Sequence, residues 1–353
     1  MNSEFILALE EIEREKNIKK EVLLETIENA LISAYKKNYE TNQDNVFVSI
    51  DNETGVVRVF AKKTVVEEVT DPQTEISLEE AHKISKQYDI GSEVEIEATP
   101  KTFGRIAAQT AKQMVTQKIR EVERENIYEE FSAKEHTVIE GIIQRIERRN
   151  IYLDAGKAEV FLPVSEQVPT EMYDFHQHLK VYVTEVKKTT KGPVITVSRA
   201  KAALVQKLFE NEIPEIQDGI VEIMSISREA GSRTKMAVKT NNENVDPIGA
   251  CIGAKGARVQ VIINELNGEK IDIVKYSDDP EEFIRAALSP AEVVSLNVDV
   301  ENKQAHIIVP FTQLSLAIGK EGQNARLAAR LTGYKIDIKS VRDEEGVTHC
   351  GRE

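Results

Sequence analysis

The sequence predicts a multidomain α+β protein: an α+β front domain running into one long helix, a small five-stranded barrel, and a tandem pair of α+β units. Three observations carry this reading. Residues 105–131 contain neither proline nor glycine, the apolar period changes from helical to alternating after residue 136, and Ile-Gly-Ala-Lys-Gly at 252–256 returns as Ile-Gly-Lys-Glu-Gly at 318–322. A length of 353 residues suits about two to four domains at roughly 100–200 residues each.

The elements follow in order. Phe5, Leu9 and Ile12, then Leu23, Ile27, Leu31 and Ala34, recur at helical spacing and predict an opening pair of amphipathic helices. Val46–Ile50 and Val56–Phe60 flank Asp-Asn-Glu-Thr-Gly, whose Gly55 suits a hairpin turn. Ser77 and Glu80 form a capping box for a helix to about Tyr88. Val94, Ile96 and Ala98 alternate with Glu93, Glu95 and Glu97 as in a half-buried strand. From Arg105 to about Phe131, Ile106, Ala107, Met114, Val115, Ile119 and Val122 fall near one stripe of a single helix, and its mostly charged far end suits a helix leaving one core for the next. The first boundary is placed at 131/132.

Residues 132–200 hold five short strands, ending in Pro-Val-Ile-Thr-Val-Ser-Arg, which predict an OB-type barrel. Arg148-Arg149-Asn150 and Thr190-Lys191-Gly192 place cations on its turns, with Lys187 and Lys188 beside them. Tyr152 and Phe161 lie on adjacent strands. Pointing outward they form a stacking platform for bases; pointing inward they are barrel core. Each base stack is worth roughly 1–3 kcal/mol.

The repeat divides the rest into 201–276 and 277–340, with a polar tail at 341–353. Gly268-Glu269-Lys270-Ile271-Asp272-Ile273 returns as Gly333-Tyr334-Lys335-Ile336-Asp337-Ile338, so each copy reads strand, strand, helix, I-G-x-x-G, helix, strand. Asp246 and Thr312 are the expected N-caps one repeat apart. Glycine at both ends of a tight interhelical loop lets a sugar-phosphate backbone approach the main chain. The N-terminus of the following helix attracts phosphate oxygens, and Lys255 or Lys320 adds charge. Bases would lie across the groove towards Arg258 in one copy and Asn324 or Arg326 in the other. This is the pattern of tandem prokaryotic-type KH domains. Glu321 inside the second loop opposes phosphate, which predicts weaker binding there or a side chain aimed at solvent.

Composition narrows the classes. The net charge is −14, but residues 1–131 hold 27 acidic against 17 basic side chains while residues 132–200 hold 9 against 10. The front suits a basic protein partner and the middle leaves nucleic acid open. No apolar run approaches the ~18 residues of a membrane span, and the first residues lack a secretory pattern, so a cytoplasmic location is expected. Cys251 and Cys350 are too few for a disulfide framework. Of six histidines only His176 and His178 are close, without a third ligand. Neither metal nor cofactor is expected. No nucleophile elbow, P-loop or paired-carboxylate motif occurs, so the chain does not read as an enzyme.

The words Phe-Gly-Arg-Ile-Ala-Ala-Gln-Thr-Ala-Lys-Gln (103–113), Phe-Leu-Pro-Val-Ser-Glu-Gln (161–167), Asp-Pro-Ile-Gly-Ala-Cys-Ile-Gly-Ala-Lys-Gly-Ala-Arg-Val-Gln (246–260), Asn-Glu-Leu-Asn-Gly-Glu-Lys-Ile-Asp-Ile (264–273) and Leu-Ala-Ile-Gly-Lys-Glu-Gly-Gln-Asn-Ala-Arg-Leu-Ala-Ala-Arg-Leu-Thr-Gly (316–333) occur in this order. With them the chain resembles the NusA family of bacterial transcription factors as far as about residue 340. The resemblance implies a front domain, residues 1–131, that docks on the flap around the RNA exit channel of RNA polymerase. It implies a barrel of the ribosomal-protein S-one type and paired KH domains that receive nascent single-stranded RNA. The implied activities are prolonged hairpin pauses, enhanced intrinsic termination and antitermination with other Nus-type factors, by a monomer. The implied RNA contacts are Gly253, Ala254, Lys255, Gly256 and Arg258, then Gly319, Lys320, Glu321, Gly322, Asn324 and Arg326, with Tyr152, Phe161 and Arg199 on the barrel. Pro163 stands where the family often has histidine. Acidic C-terminal repeats found in some relatives are not expected after so short a tail. A polymerase-independent RNA-binding or RNA-chaperone module is the alternative, and it leaves the front domain without a task.

Overall fold

The computed structural model describes residues 3–38 and 45–341 and divides into two compact units, Met1–Asn126 and Ile127–Glu353. In the first unit α1 (Ser3–Lys16) and α2 (Lys20–Asn38) turn Ile6, Leu9, Leu23, Ile27 and Leu31 into a core with Val48, Ile50 and Val59. Strands β1 (Val46–Ile50) and β2 (Val57–Val66) form an antiparallel hairpin around Gly55, whose φ is 68°. β3 (Glu75–Ser77) adds parallel to β2, and Ser77 Oγ accepts the Glu80 N–H to start α3 (Leu78–Ile84). This helix ends before Tyr88 because Ser85 is extended and the His82 ring bonds the Tyr88 carbonyl at 2.9 Å. β4 (Glu93–Glu97) pairs with β2, burying Val94 while its glutamates stay exposed.

Helix α4 runs from Phe103 to Ser132. It starts before Arg105 because Phe103 is fully buried in the front core with Ala107 and Ala111. Its last turn serves a different core: Phe131 is 1% exposed among barrel residues, with Ile127 and Tyr128 packed beside it. The expected boundary at 131/132 therefore cuts just after a side chain the barrel needs.

The barrel closes in the order β5-β6-β7-β9-β8, from β5 (Val138–Glu147), β6 (Asn150–Asp154), β7 (Glu159–Leu162), β8 (His178–Thr189) and β9 (Gly192–Ser198). Ile151, Leu153, Val160 and Leu162 fill it. α5 (Ala202–Glu212) and α6 (Pro214–Gln217) lead into the first repeat: β10 (Val221–Glu229), β11 (Arg233–Thr240), α7 (Pro247–Ile252), α8 (Ala257–Glu265) and β12 (Lys270–Lys275). α9 (Pro280–Ala287) leads into the second: β13 (Ser295–Asp299), β14 (Gln304–Pro310), α10 (Leu314–Ile318), α11 (Gln323–Thr332) and β15 (Lys335–Val341). Each repeat has a three-stranded sheet whose first pair is antiparallel and second parallel, the prokaryotic-type KH arrangement. Of the expected tail, 341–353, only Val341 lies within the described residues.

The two expected N-caps differ. Asp246 accepts N–H bonds from Ile248 and Gly249 and starts α7 at Pro247. Thr312 caps nothing, since it sits inside a 3₁₀ turn, Phe311–Gln313, and α10 begins only at Leu314. Gln313 is drawn away, its side-chain oxygen accepting the Glu292 N–H at 2.6 Å.

Shared cores join these parts. Tyr182 of the barrel packs with Leu204, Val205, Leu208 and Phe209 of α5. Ala237 and Val274 of the first sheet pack with Phe283, Ile284 and Ala287 of α9 in the second repeat's core. Charges are buried at both joins. Arg199 is 0% exposed; its guanidinium donates to Glu171, to Glu265 and to the carbonyls of Lys180 and Glu265 at 2.5–3.1 Å. Lys235 is fully buried and donates to the Ser289 carbonyl, 2.9 Å, beside Asp272 at 3.1 Å. Burial opposes the Asp272 charge, but Arg233 and Lys235 hold its carboxyl below the usual range.

Replacing Arg199 by Ala leaves Glu171 buried without its cation, which costs about 3–5 kcal/mol. Urea unfolding of the barrel and repeats should shift accordingly, and a loss below about 1 kcal/mol would show that the pair adds no more than a surface bridge.

Candidate nucleic-acid interface

The two G-x-x-G loops share one backbone. In the first, α7 ends at Gly253 (φ 74°), Ala254–Gly256 make one 3₁₀ turn with Lys255 at φ 53°, and Gly256 (φ 79°) opens α8. In the second, Gly319 (φ 78°), Glu321 (φ 54°) and Gly322 (φ 75°) repeat this before α11. A non-glycine residue held left-handed at the same place in both copies costs of order 1 kcal/mol each and marks a constrained turn. The leading glycines have a second reason to be glycine. A Cβ on Gly253 would lie 2.8 Å from Arg258 Cγ, and one on Gly319 2.8 Å from the Asn324 backbone nitrogen.

Ala254, Lys255, Lys320 and Glu321 are exposed. Each loop thus presents main chain, one lysine and the start of a helix whose first N–H groups lack intrahelical partners. The Glu321 carboxylate is at the surface, as the unfavourable charge requires. Between the copies opens a cleft of about 370 Å³, lined by Arg233 and Lys270 from the first and Gly319, Lys320 and Gln323 from the second.

Three expected contacts have other work. Arg258 turns back to cap α7, donating to the Ala250 carbonyl at 2.7 Å and to Glu215 at 2.8 Å, and the Glu215 carboxyl is held below its usual range by its own backbone N–H and by Arg258. Asn324 is 4% exposed and donates to the carbonyls of Ala317 and Leu288, so it cannot read a base as expected. Arg199 is also corrected: it is sealed between the barrel and α8, fully buried with its guanidinium bonded to protein groups. In each case a carbonyl left over at a helix end or junction captures a donor. Arg326 remains exposed, bonded to Glu229 and to the Glu321 carbonyl. Cys251 is fully buried, and burial pushes its thiol up to about 12.

On the barrel the neighbours Ile151, Leu153, Val160 and Leu162 occupy the core, so Tyr152 and Phe161 lie on the outer face. They are cross-strand partners with ring centroids 5.3 Å apart. Arg145, which the sequence pattern did not single out, stacks 3.9 Å above the Tyr152 ring and is paired with Glu147 and Glu159. Strict alternation from the buried Ile143 would put Arg145 on the core face, and it is the bulge between them that turns it outward. Glu229 and Gln323 were also missed, because their partners lie more than ninety residues apart. Among the described residues no group of three His, Cys, Asp or Glu could hold a metal ion, and no helix is long and apolar enough to cross a membrane.

Comparison with known proteins agrees with this geometry along the chain. A NusA N-terminal domain model matches residues 4–125, an S1 RNA binding domain model 132–198, a NusA-like first KH domain 199–276 and a NusA-like second KH domain 280–346. The transcription termination/antitermination protein NusA of Halalkalibacterium halodurans is 58% identical over 98% of this chain and 90% of its own length. That of Bacillus subtilis is 57% identical over 97% and 92%, and that of Thermus thermophilus 44% over 97% and 91%. The solution structure of the N-terminal domain of NusA from B. subtilis, 59% identical, covers 35% of this chain and 99% of its own with a TM-score of 0.32. With front domain, barrel and both KH units each matched in order, and relatives near 58% identity across almost the whole length, the chain belongs to the NusA family of transcription termination/antitermination proteins.

Proposed function

We propose that this chain is an RNA-polymerase-associated elongation factor that binds nascent single-stranded RNA, enhances pausing and intrinsic termination, and takes part in antitermination. It acts in the cytoplasm as a monomer, by binding and without catalysis or cofactor. The observation that carries the RNA half is the pair of exposed G-x-x-G loops whose third residues, Lys255 and Glu321, share one left-handed backbone conformation, each loop opening a helix at its positive dipole end. Tyr152 and Phe161, outward on the barrel, add a stacking surface. The acidic front domain, residues 1–131, is the polymerase-docking part, on the flap region at the RNA exit channel. Its charge of 27 acids against 17 bases suits a basic protein surface and disfavours RNA. Residues 132–200, 201–276 and 277–340 receive the transcript, and other Nus-type factors join the complex.

The loops are testable at their exposed middle residues, since any side chain at Gly253 or Gly319 would disturb the fold. Replacing Ala254 and Lys255 by Asp, which tolerates the left-handed region, and Lys320 by Asp should each lower affinity for single-stranded RNA about tenfold. The combined variant should show a salt slope shallower by about 0.7 for every phosphate it no longer neutralises. Wild-type affinity in the combined variant would refute the loop assignment.

Single-round transcription by bacterial RNA polymerase on a template with a hairpin pause and an intrinsic terminator tests the docking half. The whole chain should lengthen the pause and raise termination. Residues 127–353, which keep Phe131 for the barrel, should bind RNA yet do neither. Equal activity of the shortened chain would assign the effect to RNA binding alone.

A further inference from the structure

The second loop differs from the first in being tied to the other repeat. Arg326, one turn into α11, donates through one Nη to the carbonyl of Glu321, the left-handed residue of its own loop. Its Nε and other Nη face Glu229 at the end of β10 in the first repeat, at 3.1 and 3.4 Å. Gln323, the first residue after the loop, donates to the same Glu229 carboxylate at 2.8 Å and to Ser232 Oγ at 2.7 Å. Arg330 stands 3.9 Å from it. One carboxylate, 22% exposed, thus gathers three side chains of α11. In the first repeat the position equivalent to Arg326, sixty-six residues earlier, is Gln260, which donates to Asn264 within α8, so that side chain makes no tie to the other repeat.

We propose that Glu229 is a positioning residue for the second G-x-x-G loop: through Arg326 it fixes the Glu321 carbonyl, so the second KH unit holds RNA in its working geometry only when docked on the first. This rests on reading the two loops as RNA contacts. A guanidinium fixed on one side by a carboxylate is a directional donor on the other. It holds a main-chain turn in a conformation that otherwise costs energy. The phosphate-facing N–H groups at the start of α11 keep their aim as a consequence. Lys320, exposed at the cleft between the repeats, is left for the ligand.

The test uses the full chain with the first loop disabled by Ala254→Asp and Lys255→Asp, so that remaining RNA binding reports the second. In that background Glu229→Ala should weaken binding of a single-stranded RNA oligomer about fivefold to tenfold, with an unchanged salt slope because every phosphate keeps its cation. Glu229→Gln, which keeps an acceptor for Arg326, should lie between. Hydrogen exchange should rise across residues 318–326 and stay level in α9. Should Glu229→Ala fold poorly, Arg326→Lys, which keeps the charge but cannot bridge both partners, should give the same loss. Unchanged binding overturns the proposal. So does tighter binding with a steeper slope, which would make Glu229 a competitor of phosphate, and so does exchange rising equally in α9, which would make it a general clamp. Lys320→Asp in the same background is the separate control: if it has no effect, the reading of the second loop as an RNA contact fails, independently of Glu229.

Discussion

A buried guanidinium is stable only where carboxylates and carbonyls meet its donors, and Arg199 occupies such a place at the join between barrel and first repeat. Its own carbonyl accepts from Arg228, whose guanidinium is bonded to the fully buried Glu269. Glu269 in turn accepts from Thr234 and the Gly231 N–H. The strand leaving the barrel and the strands of the first KH sheet are thereby held through one chain of charged hydrogen bonds. Removing a member leaves an uncompensated ion, which is why such chains tolerate little change. At the next join Lys235 and Asp272 repeat the device on a smaller scale.

These joins fix the arrangement of the two G-x-x-G loops. The first sheet contributes Ala237 and Val274 to the core of the second repeat, so the two loops belong to a packed pair and not to beads on a linker. In both loops the leading glycine closely faces the second helix, a Cβ there lying 2.8 Å from the Arg258 side chain in the first and 2.8 Å from the Asn324 backbone in the second. They differ in support, since Gln260, at the position equivalent to Arg326, bonds Asn264 of its own helix while Arg326 reaches Glu229 of the neighbour.

The acidic composition has two uses. In the front domain glutamates line the open face of β4 while Val94 enters the core. In the repeats acids are drawn inward to hold arginines, leaving Lys255, Lys320 and Lys270 exposed. Net charge therefore says little about where nucleic acid can bind, because pairing removes charge from the surface unevenly.

Local patterns were legible in the sequence. Alternation found all five barrel strands, helical periodicity found α4, and the repeated glycines found both loops, because period and backbone freedom are properties of neighbouring residues. The outward aim of Tyr152 and Phe161, the burial of Asn324 and Arg199, and the role of Glu229 were not. Whether a polar side chain reads a ligand or repairs an unpaired carbonyl depends on which distant backbone groups the fold leaves beside it. The ninety-seven-residue separation of Glu229 and Arg326 carries no period that announces their meeting. The sequence by itself determined the barrel strands, the long helix, the order of the domains and the duplicated loop; only the tertiary structure decided which charges face the solvent, since that is settled by packing between segments far apart in the chain.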